Sequence, residues 1–225
     1  MSQIIYSQHE EQNIIQSILD RFAVNNSAVE IGINTGAKGN GKTLQGNTVF
    51  LQQQNWACLW IDADTDHDAV VKKTVYPENI VDILDQYLNN NHIGVFSIDI
   101  DSEDWYVVRA VLESNYQPEV FVCETNSYVD PMQDLIMPIG HRRSQRPKSI
   151  CHGATLTAFN NLFKKFNYNF YCTSRLGMNG FWIHESMLVQ SAELEAYRHH
   201  RHPLTTNWSR SHQHDHWVDS KTLLS

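Results

Sequence analysis

Residues 29–64 read VEIGINTGAKGNGKTLQGNTVFLQQQNWACLWIDAD, and this stretch decides the fold. Val29, Ile31 and Ile33 begin a short apolar strand, and glycines follow at positions 32, 36, 39 and 41. A helical stripe then leads to a second apolar strand at 58–61, which ends on Asp62. Glycines allow the backbone to approach a ligand closely, and an acid after the second strand can bind ribose hydroxyls. The pattern predicts the first half of a nucleotide-binding α/β unit.

Part of the glycine-rich loop also matches a phosphate-binding motif. Gly36–Thr43 reads GAKGNGKT, which fits the P-loop pattern GxxxxGK[ST] and follows a strand as that motif requires. Asp99, at the end of a later apolar run, would then supply the acid that binds magnesium. Against this interpretation, Gly46 falls in the first turn of the expected helix and weakens it by about 1 kcal/mol relative to alanine. A P-loop nucleotide hydrolase or kinase is therefore the alternative interpretation.

Further apolar patterns extend this unit into a complete domain. The near-continuous apolar run at 93–98 predicts a strand buried on both faces of a parallel sheet, and residues 119–123 predict the next strand. Residues 169–173 and 180–184 predict a closing antiparallel pair. Helical stripes lie before and between these strands, at 9–23, 78–88 and 156–166. The expected fold is α/β, a Rossmann-like, doubly wound and mostly parallel sheet with a C-terminal antiparallel hairpin.

The chain of 225 residues is long enough for one large α/β domain. We expect this domain to span residues 1–192, with an N-terminal helical segment at 1–26. Residues 127–151 contain three prolines and little periodicity, which predicts a lid-like loop. From residue 193 to residue 225 the apolar pattern fades into a His-rich tail.

Several short blocks, in their order and spacing, resemble a known enzyme family. Glu30-x-Gly32-x-x-x-Gly36, followed by Asn47-Thr48, Trp56 and Ile61-Asp62, resembles the first motif of class I S-adenosylmethionine-dependent methyltransferases, and FkbM-like members above all. The likeness continues in four later blocks, at 77–80, 96–105, 122–126 and 177–181. The sequence departs from the family in its long loop at 37–46 and in Asn55-Trp56, which replaces the usual Gly-Trp.

The resemblance implies a methyltransferase that uses S-adenosylmethionine, with O-methylation of a small sugar-like or secondary-metabolite acceptor as the expected reaction. The residues that would line the methionine part of this cofactor are Glu30, Gly32, Asn34 and Gly36. Asp62 would bind the ribose, and Asp99 would lie beside the methyl donor. A third interpretation keeps the same fold as a nucleoside-binding domain without catalysis.

Polar side chains follow two neighbouring strands at the edge where open parallel sheets bind ligands. Asp99 and Asp101 follow the fourth strand, and Glu124 and Asn126 follow the fifth. Metal-dependent O-methyltransferases are similar in placing their ligands at these strand ends, so Asp99, Glu124 and Asn126 are candidate ligands of Mg²⁺. The candidate catalytic residues are Asp99, Asp101, Glu124 and, as a base, His152. In the structural alternative, the carboxylates only bind backbone amides and favour a helix N-terminus.

A basic cluster lies inside the 127–151 loop. Its members are Arg142, Arg143, Arg146 and Lys148, beside a second candidate base, His141. Guanidinium groups bind carboxylates and phosphates in pairs of hydrogen bonds, so the cluster suits an anionic acceptor. A solvated loop accounts for the same residues equally well.

Composition limits the classes of partner. A net charge of −8 argues against a general nucleic-acid or anionic-membrane surface, and no apolar run reaches the length of a membrane span. The four cysteines lack metal-binding spacing and predict reduced thiols, which together with the absence of a secretory pattern favours a cytoplasmic protein. Six of the twelve histidines fall between His199 and His216, a composition that binds transition metals. Trp208 and Trp217 suggest that the tail packs on the domain or on another subunit of a homo-oligomer.

Overall fold

The computed structural model describes residues 5–35, 44–140, 151–188 and 217–224. Helices and strands alternate through most of this range. The helices are α1 (Glu11–Leu19), α2 (Val49–Gln52), α3 (Ile80–Tyr87), α4 (Asp104–Leu112), α5 (Leu156–Lys165), α6 (Glu185–Leu188) and α7 (Ser220–Leu223). The strands are β1 (Ser27–Ile31), β2 (Ala57–Asp62), β3 (Val71–Lys72), β4 (Val95–Ile98), β5 (Val120–Glu124), β6 (Tyr168–Thr173) and β7 (Asn179–His184).

The strands form one mixed sheet in the order β3-β2-β1-β4-β5-β7-β6. Strands β3, β2, β1, β4 and β5 run parallel, and β7 pairs antiparallel with both β5 and β6. This confirms the predicted α/β fold with a mostly parallel sheet and a C-terminal antiparallel pair. The carboxyl ends of β2, β1 and β4 are adjacent, so residues that follow these strands meet at one edge.

Successive residues of a strand point to opposite faces, and both faces of this sheet are covered. Phe121 faces a core built with α3, α4 and α5, whereas Val120 and Val122 face a second core built with α1 and α2. The first core is rich in aromatic rings: Phe163 lies 5.0 Å from Phe121 and stacks 4.6 Å from Trp182, measured between ring centroids. Burial of strand residues on both faces explains why the central strands read as continuous apolar runs.

The helix of the nucleotide-binding unit is much shorter than the pattern predicts. It forms only at Val49–Gln52, although the apolar stripe and the glycine-rich loop suggest a longer element. Asn34 and Gln45 instead form an antiparallel bridge, with N–O distances of 3.0 and 2.9 Å in the two directions. The loop after β1 is therefore closed by its own backbone pair before the helix begins.

Residues 127–140, the described part of the predicted lid-like loop, contact the domain through buried side chains and backbone bridges. Ile136 and Met137 are buried, and Ile136 bridges to Ala154 on one side and to Val218 on the other. The end of the His-rich tail thus returns to the domain, where Arg109 donates a 2.9 Å hydrogen bond to the Leu223 carbonyl oxygen. The basic cluster, His141 and the histidines between 199 and 216 lie outside the described residues.

The helices of the described residues are all short. None of them combines the length and the apolar character that a bilayer span requires.

Candidate functional site

A cavity of about 870 Å³ lies at the carboxyl ends of β1, β2 and β4. Gly32 and Asn34 enter it after β1, Asp62 ends β2, and Asp99 and Asp101 follow β4. The volume is in the range of pockets that enclose cofactors and drug-sized ligands. Five of the sequence-predicted site residues therefore line one cavity.

Gly32 brings the loop after β1 into direct contact with the loop after β4. Its φ angle is +86°, and a β-carbon at this position would lie 1.7 Å from the carbonyl oxygen of Asp99. The backbone N–H of Gly32 donates to the Ile61 carbonyl at 2.9 Å, which fixes the loop against β2 as well. Only glycine satisfies both the left-handed backbone and the close approach.

Glu30 stabilises the loop from behind the cavity, which it does not line. Its carboxylate accepts hydrogen bonds from the Asn47 and Thr48 backbone N–H groups at 2.7 and 2.8 Å, and from the Thr48 hydroxyl at 2.6 Å. Burial raises the pKa of Glu30, and these hydrogen bonds partly oppose the rise. A β-carbon on Gly46 would lie 2.6 Å from a Glu30 carboxylate oxygen, which explains a glycine there. The role that the structure gives to Glu30 is to hold the start of α2, in place of the predicted contact with the cofactor.

The two remaining residues of the predicted methionine subsite have different outcomes. Asn34 lines the cavity and is held by its bridge to Gln45. Gly36 lies outside the described residues.

Asp62 lines the cavity at the end of β2 and is held by a hydrogen bond to its own loop. Its Oδ1 atom accepts a 2.7 Å hydrogen bond from the Asp64 backbone N–H. Burial raises the pKa of Asp62, and the hydrogen bond from Asp64 and, more weakly, the charge of Lys72 partly oppose the rise. The N-terminal segment places Gln8 in the cavity wall. Gln8 carries no motif that would have marked it in the sequence, because its contact with the cavity depends on how α1 packs.

Four carboxylates surround the end of β4. Asp104 is buried and accepts hydrogen bonds from the Ile100 and Ser102 backbone N–H groups at 2.8 and 2.9 Å, which anchors the loop that carries Asp99 and Asp101. Burial, with a smaller contribution from the charge of Asp99, raises the pKa of Asp104 to about 7 although the backbone hydrogen bonds oppose the rise. Burial also raises the pKa of Glu124 well above its usual range, with further contributions from Asp99, Asp104 and Asp101 and from a hydrogen bond with the Asp99 side chain.

His152 joins this acidic group from the segment that precedes α5. Its side chain is 5% exposed, and its Nδ1 atom lies 4.0 Å from Oδ1 of Asp101. Ligand-type atoms of Asp101, Glu124 and His152 all lie within 4.8 Å of one another. Asp101 has a φ angle of 57°, a left-handed conformation that Asp tolerates better than most residues. The structure thus brings together all four candidate catalytic residues, with Asp99 joined to this group by its side-chain hydrogen bond with Glu124.

Asn126, a predicted metal ligand, makes two hydrogen bonds to backbone groups. Its Nδ2 group donates a 2.9 Å hydrogen bond to the His152 carbonyl oxygen, and its Oδ1 atom accepts a 3.0 Å hydrogen bond from the Tyr128 backbone N–H. Asn126 therefore connects the end of β5 to the segment that carries His152. A positioning role of this kind is invisible in the sequence, because the partners are backbone groups.

Comparisons with known proteins found one distant structural likeness and no match in sequence. No family model and no curated protein matches the chain. One solved structure, described as "a putative hemolysin from Lactococcus lactis", covers 80% of this chain and 88% of its own at 12% identity and a TM-score of 0.45. A likeness this distant supports no statement about activity.

Proposed function

We propose that the chain is an S-adenosylmethionine-dependent methyltransferase that acts on a hydroxyl oxygen of a small acceptor. One observation carries the proposal: a single cavity joins the Gly32 turn, Asp62 and Asp99 at the carboxyl ends of three adjacent parallel strands. The resemblance to class I methyltransferases implies that the methionine part of the donor lies at the Gly32 turn, its ribose at Asp62 and its methyl group beside Asp99. A mostly parallel sheet with an antiparallel closing pair is also the sheet that this resemblance implies.

The charge of the cavity wall supports a cationic ligand. Among the described residues, its charged members are Asp62, Asp64, Asp99, Asp101, Glu103 and Lys73. S-adenosylmethionine carries a positive sulfonium and a positive ammonium against one carboxylate, so an acidic wall attracts it. A nucleoside triphosphate would be repelled by the same wall.

The residues of the site divide into those that bind the donor and those that orient the acceptor. The Gly32 turn lets the backbone approach the amino-acid part, and the Asp62 carboxylate accepts hydrogen bonds from ribose hydroxyls. When bound, the donor supplies an electrophilic methyl group, which transfers by in-line displacement. Asp99 and Asp101 line the cavity. In this proposal a carboxylate there accepts a hydrogen bond from the acceptor hydroxyl, aligns its oxygen and takes its proton as the bond between the methyl group and sulfur breaks. Alignment and exclusion of water supply most of the rate enhancement for such a reaction.

The P-loop alternative agrees less well with the described backbone. A P-loop opens directly into a helix, whose N-terminal N–H groups bind the phosphates. Here Gln45 instead pairs with Asn34, and α2 begins only at Val49. The motif itself, Gly36–Thr43, lies outside the described residues.

Parallel calorimetric titrations with S-adenosylhomocysteine and with Mg²⁺–ATP test the proposal. We expect S-adenosylhomocysteine to bind in the micromolar range and Mg²⁺–ATP to give no heat of binding. Binding of ATP without a response to S-adenosylhomocysteine would overturn the proposal. The Lys42→Ala variant is a matched control, since it should leave S-adenosylhomocysteine affinity unchanged and would abolish ATP binding by a P-loop. Failure of both ligands to bind would equally contradict the proposal.

A turnover assay distinguishes the proposed enzyme from the third interpretation, a nucleoside-binding domain without catalysis. Wild-type protein with radiolabelled S-adenosylmethionine and a panel of sugar and phenolic hydroxyl acceptors should transfer label to at least one acceptor. Binding of S-adenosylhomocysteine without transfer to any acceptor would favour the non-catalytic interpretation.

A further inference from the structure

Three side chains with metal-binding atoms converge beside the cavity from three separate segments. Asp101 follows β4, Glu124 ends β5, and His152 precedes α5. Their ligand atoms lie within 4.8 Å of one another, a spacing that small side-chain rotations contract to the separation of atoms around one cation. We propose that Asp101, Glu124 and His152 bind one divalent cation of intermediate hardness, with Mn²⁺ as the reference ion.

Hydrogen bonds outside the three side chains hold their segments together. The Gly153 backbone N–H donates to the Ser102 carbonyl at 3.2 Å, which ties the His152 segment to the loop of Asp101. The Asn126 backbone N–H donates to the Ala154 carbonyl at 2.8 Å, and the Asn126 side chain donates to the His152 carbonyl. The three ligands are therefore positioned by backbone connections that do not depend on a bound ion. Preorganised ligands of this kind favour metal affinity.

The combination of donor atoms indicates which cation fits. Two carboxylates suit Mg²⁺, Ca²⁺ and Mn²⁺, whereas an imidazole nitrogen suits later transition metals. Mn²⁺ accepts both kinds of ligand, and Mg²⁺ has little preference for imidazole. A site with Asn126 in place of His152 would contain only oxygen ligands and would favour Mg²⁺.

The position of the ion suggests what it would do. The Asp101 side chain is 47% exposed and lines the cavity, so it places the open side of the site toward a bound acceptor. If the proposed function holds, the cation would bind the acceptor hydroxyl and lower its pKa. Metal binding itself does not depend on that function.

Electron paramagnetic resonance of Mn²⁺ tests the site on the full chain after removal of metals by chelator. We expect wild-type protein to bind one Mn²⁺ in the micromolar range, with a nitrogen coupling from His152 in electron-spin-echo modulation. Glu124→Gln and Asp101→Asn should weaken this binding by more than about 10-fold, and His152→Gln should remove the nitrogen coupling. Asp101→Asn suits the half-exposed, left-handed position and so keeps the test valid if a buried variant fails to fold.

The His-rich tail is the main competing source of metal binding. A variant with all six tail histidines changed to glutamine provides the control: His199, His200, His202, His212, His214 and His216. It should keep both the stoichiometric Mn²⁺ and the nitrogen coupling. Loss of the coupling in this variant, or equal Mn²⁺ affinity in wild type and Asp101→Asn, would overturn the inference. Displacement of Mn²⁺ by an equal concentration of Mg²⁺ would also overturn it, because Mg²⁺ gains little from imidazole.

Calorimetry with S-adenosylhomocysteine on the same samples separates the two proposals. Donor binding without specific Mn²⁺ binding contradicts only the metal site. Mn²⁺ binding without donor binding contradicts only the methyltransferase proposal.

Discussion

The α-carbon of Gly32 faces the carbonyl oxygen of Asp99 so closely that a β-carbon would lie 1.7 Å from that oxygen. This contact joins the loops that follow β1 and β4, which are neighbours in the sheet. The cavity therefore depends on one position without a side chain.

We expect Gly32→Ala to lower the free energy of unfolding by more than about 3 kcal/mol, because the clash adds to a left-handed strain of about 1–3 kcal/mol. Urea denaturation measures the change. Gly140→Ala is the matched control: Gly140 has a φ of +76°, but nothing lies within 4 Å of its added β-carbon. Equal losses of stability in the two variants would show that strain alone, without the contact to Asp99, accounts for the effect.

Removal of the Asp62 carboxylate should weaken binding of the methyl donor. Hydrogen bonds to a charged acceptor contribute about 1.5–3 kcal/mol, so Asp62→Ala should weaken S-adenosylhomocysteine binding by about 10–150-fold in calorimetry. Asp66→Ala is the control, because the Asp66 side chain is 96% exposed and pairs with Lys72 at the surface. Wild-type affinity in a folded Asp62→Ala protein would place the ribose elsewhere.

Glu30 should contribute to stability and little to ligand contact. In Glu30→Gln, an amide NH₂ group replaces one carboxylate oxygen and meets N–H donors, so the free energy of unfolding should fall by about 1–3 kcal/mol. Urea denaturation measures this, and calorimetry on the folded fraction should give nearly wild-type affinity for S-adenosylhomocysteine. Glu78→Gln, at an exposed position, controls for the loss of a charge. A stable Glu30→Gln protein with strongly reduced affinity would restore the direct role that the sequence predicts.

The acidic group at the end of β4 should make stability fall as the pH rises. Burial raises the pKa of Asp104 from its ordinary 3.8 to about 7, so the folded state holds this proton more tightly than the unfolded chain. The contribution of this carboxyl is fully present below about pH 4 and is lost as the pH rises through about 7. We expect a slope of up to about 1.4 kcal/mol per pH unit from this group, measured by urea denaturation between pH 4.5 and 8.

Asp104→Asn identifies the source of that slope. An asparagine cannot ionise, so its stability should change less steeply with pH than that of the wild type. The pKa of Glu124 shifts in the same direction, and a residual slope in the variant is expected from it. Identical slopes in the two proteins would exclude Asp104 as the titrating group.

The sheet was predictable from the sequence because its central strands are buried on both faces. Phe96 and Phe121 are fully buried and lie in apolar runs, which are typical of strands covered on both faces of a parallel sheet. The length of α2 was not predictable, since the Asn34–Gln45 bridge competes with helix formation in the same residues. Helix propensity of the local sequence does not predict a backbone bridge between two residues that are distant in the chain.

The candidate site was only partly predictable, for a similar reason. Asp62 and Asp99 follow from the rule that ligands bind beyond the carboxyl ends of parallel strands. The proximity of His152 to Asp101 depends on how the segment before α5 packs across the sheet edge, which no spacing in the sequence encodes. The motif that contains Glu30 was identified from the sequence, but the contacts of its carboxylate were not. Burial and the hydrogen bonds from Asn47 and Thr48 decide where the carboxylate points.

The antiparallel bridge between Ile136 and Val218 has a practical consequence for anyone who shortens this protein. Val218 pairs with the backbone of the buried residue Ile136. Ile136 is also bridged to Ala154, two positions after His152. A version that stops at residue 192 would therefore lose the backbone hydrogen bonds between Ile136 and Val218 together with the histidines. To study the domain without its His-rich stretch, an internal deletion that retains 217–224 is the safer design.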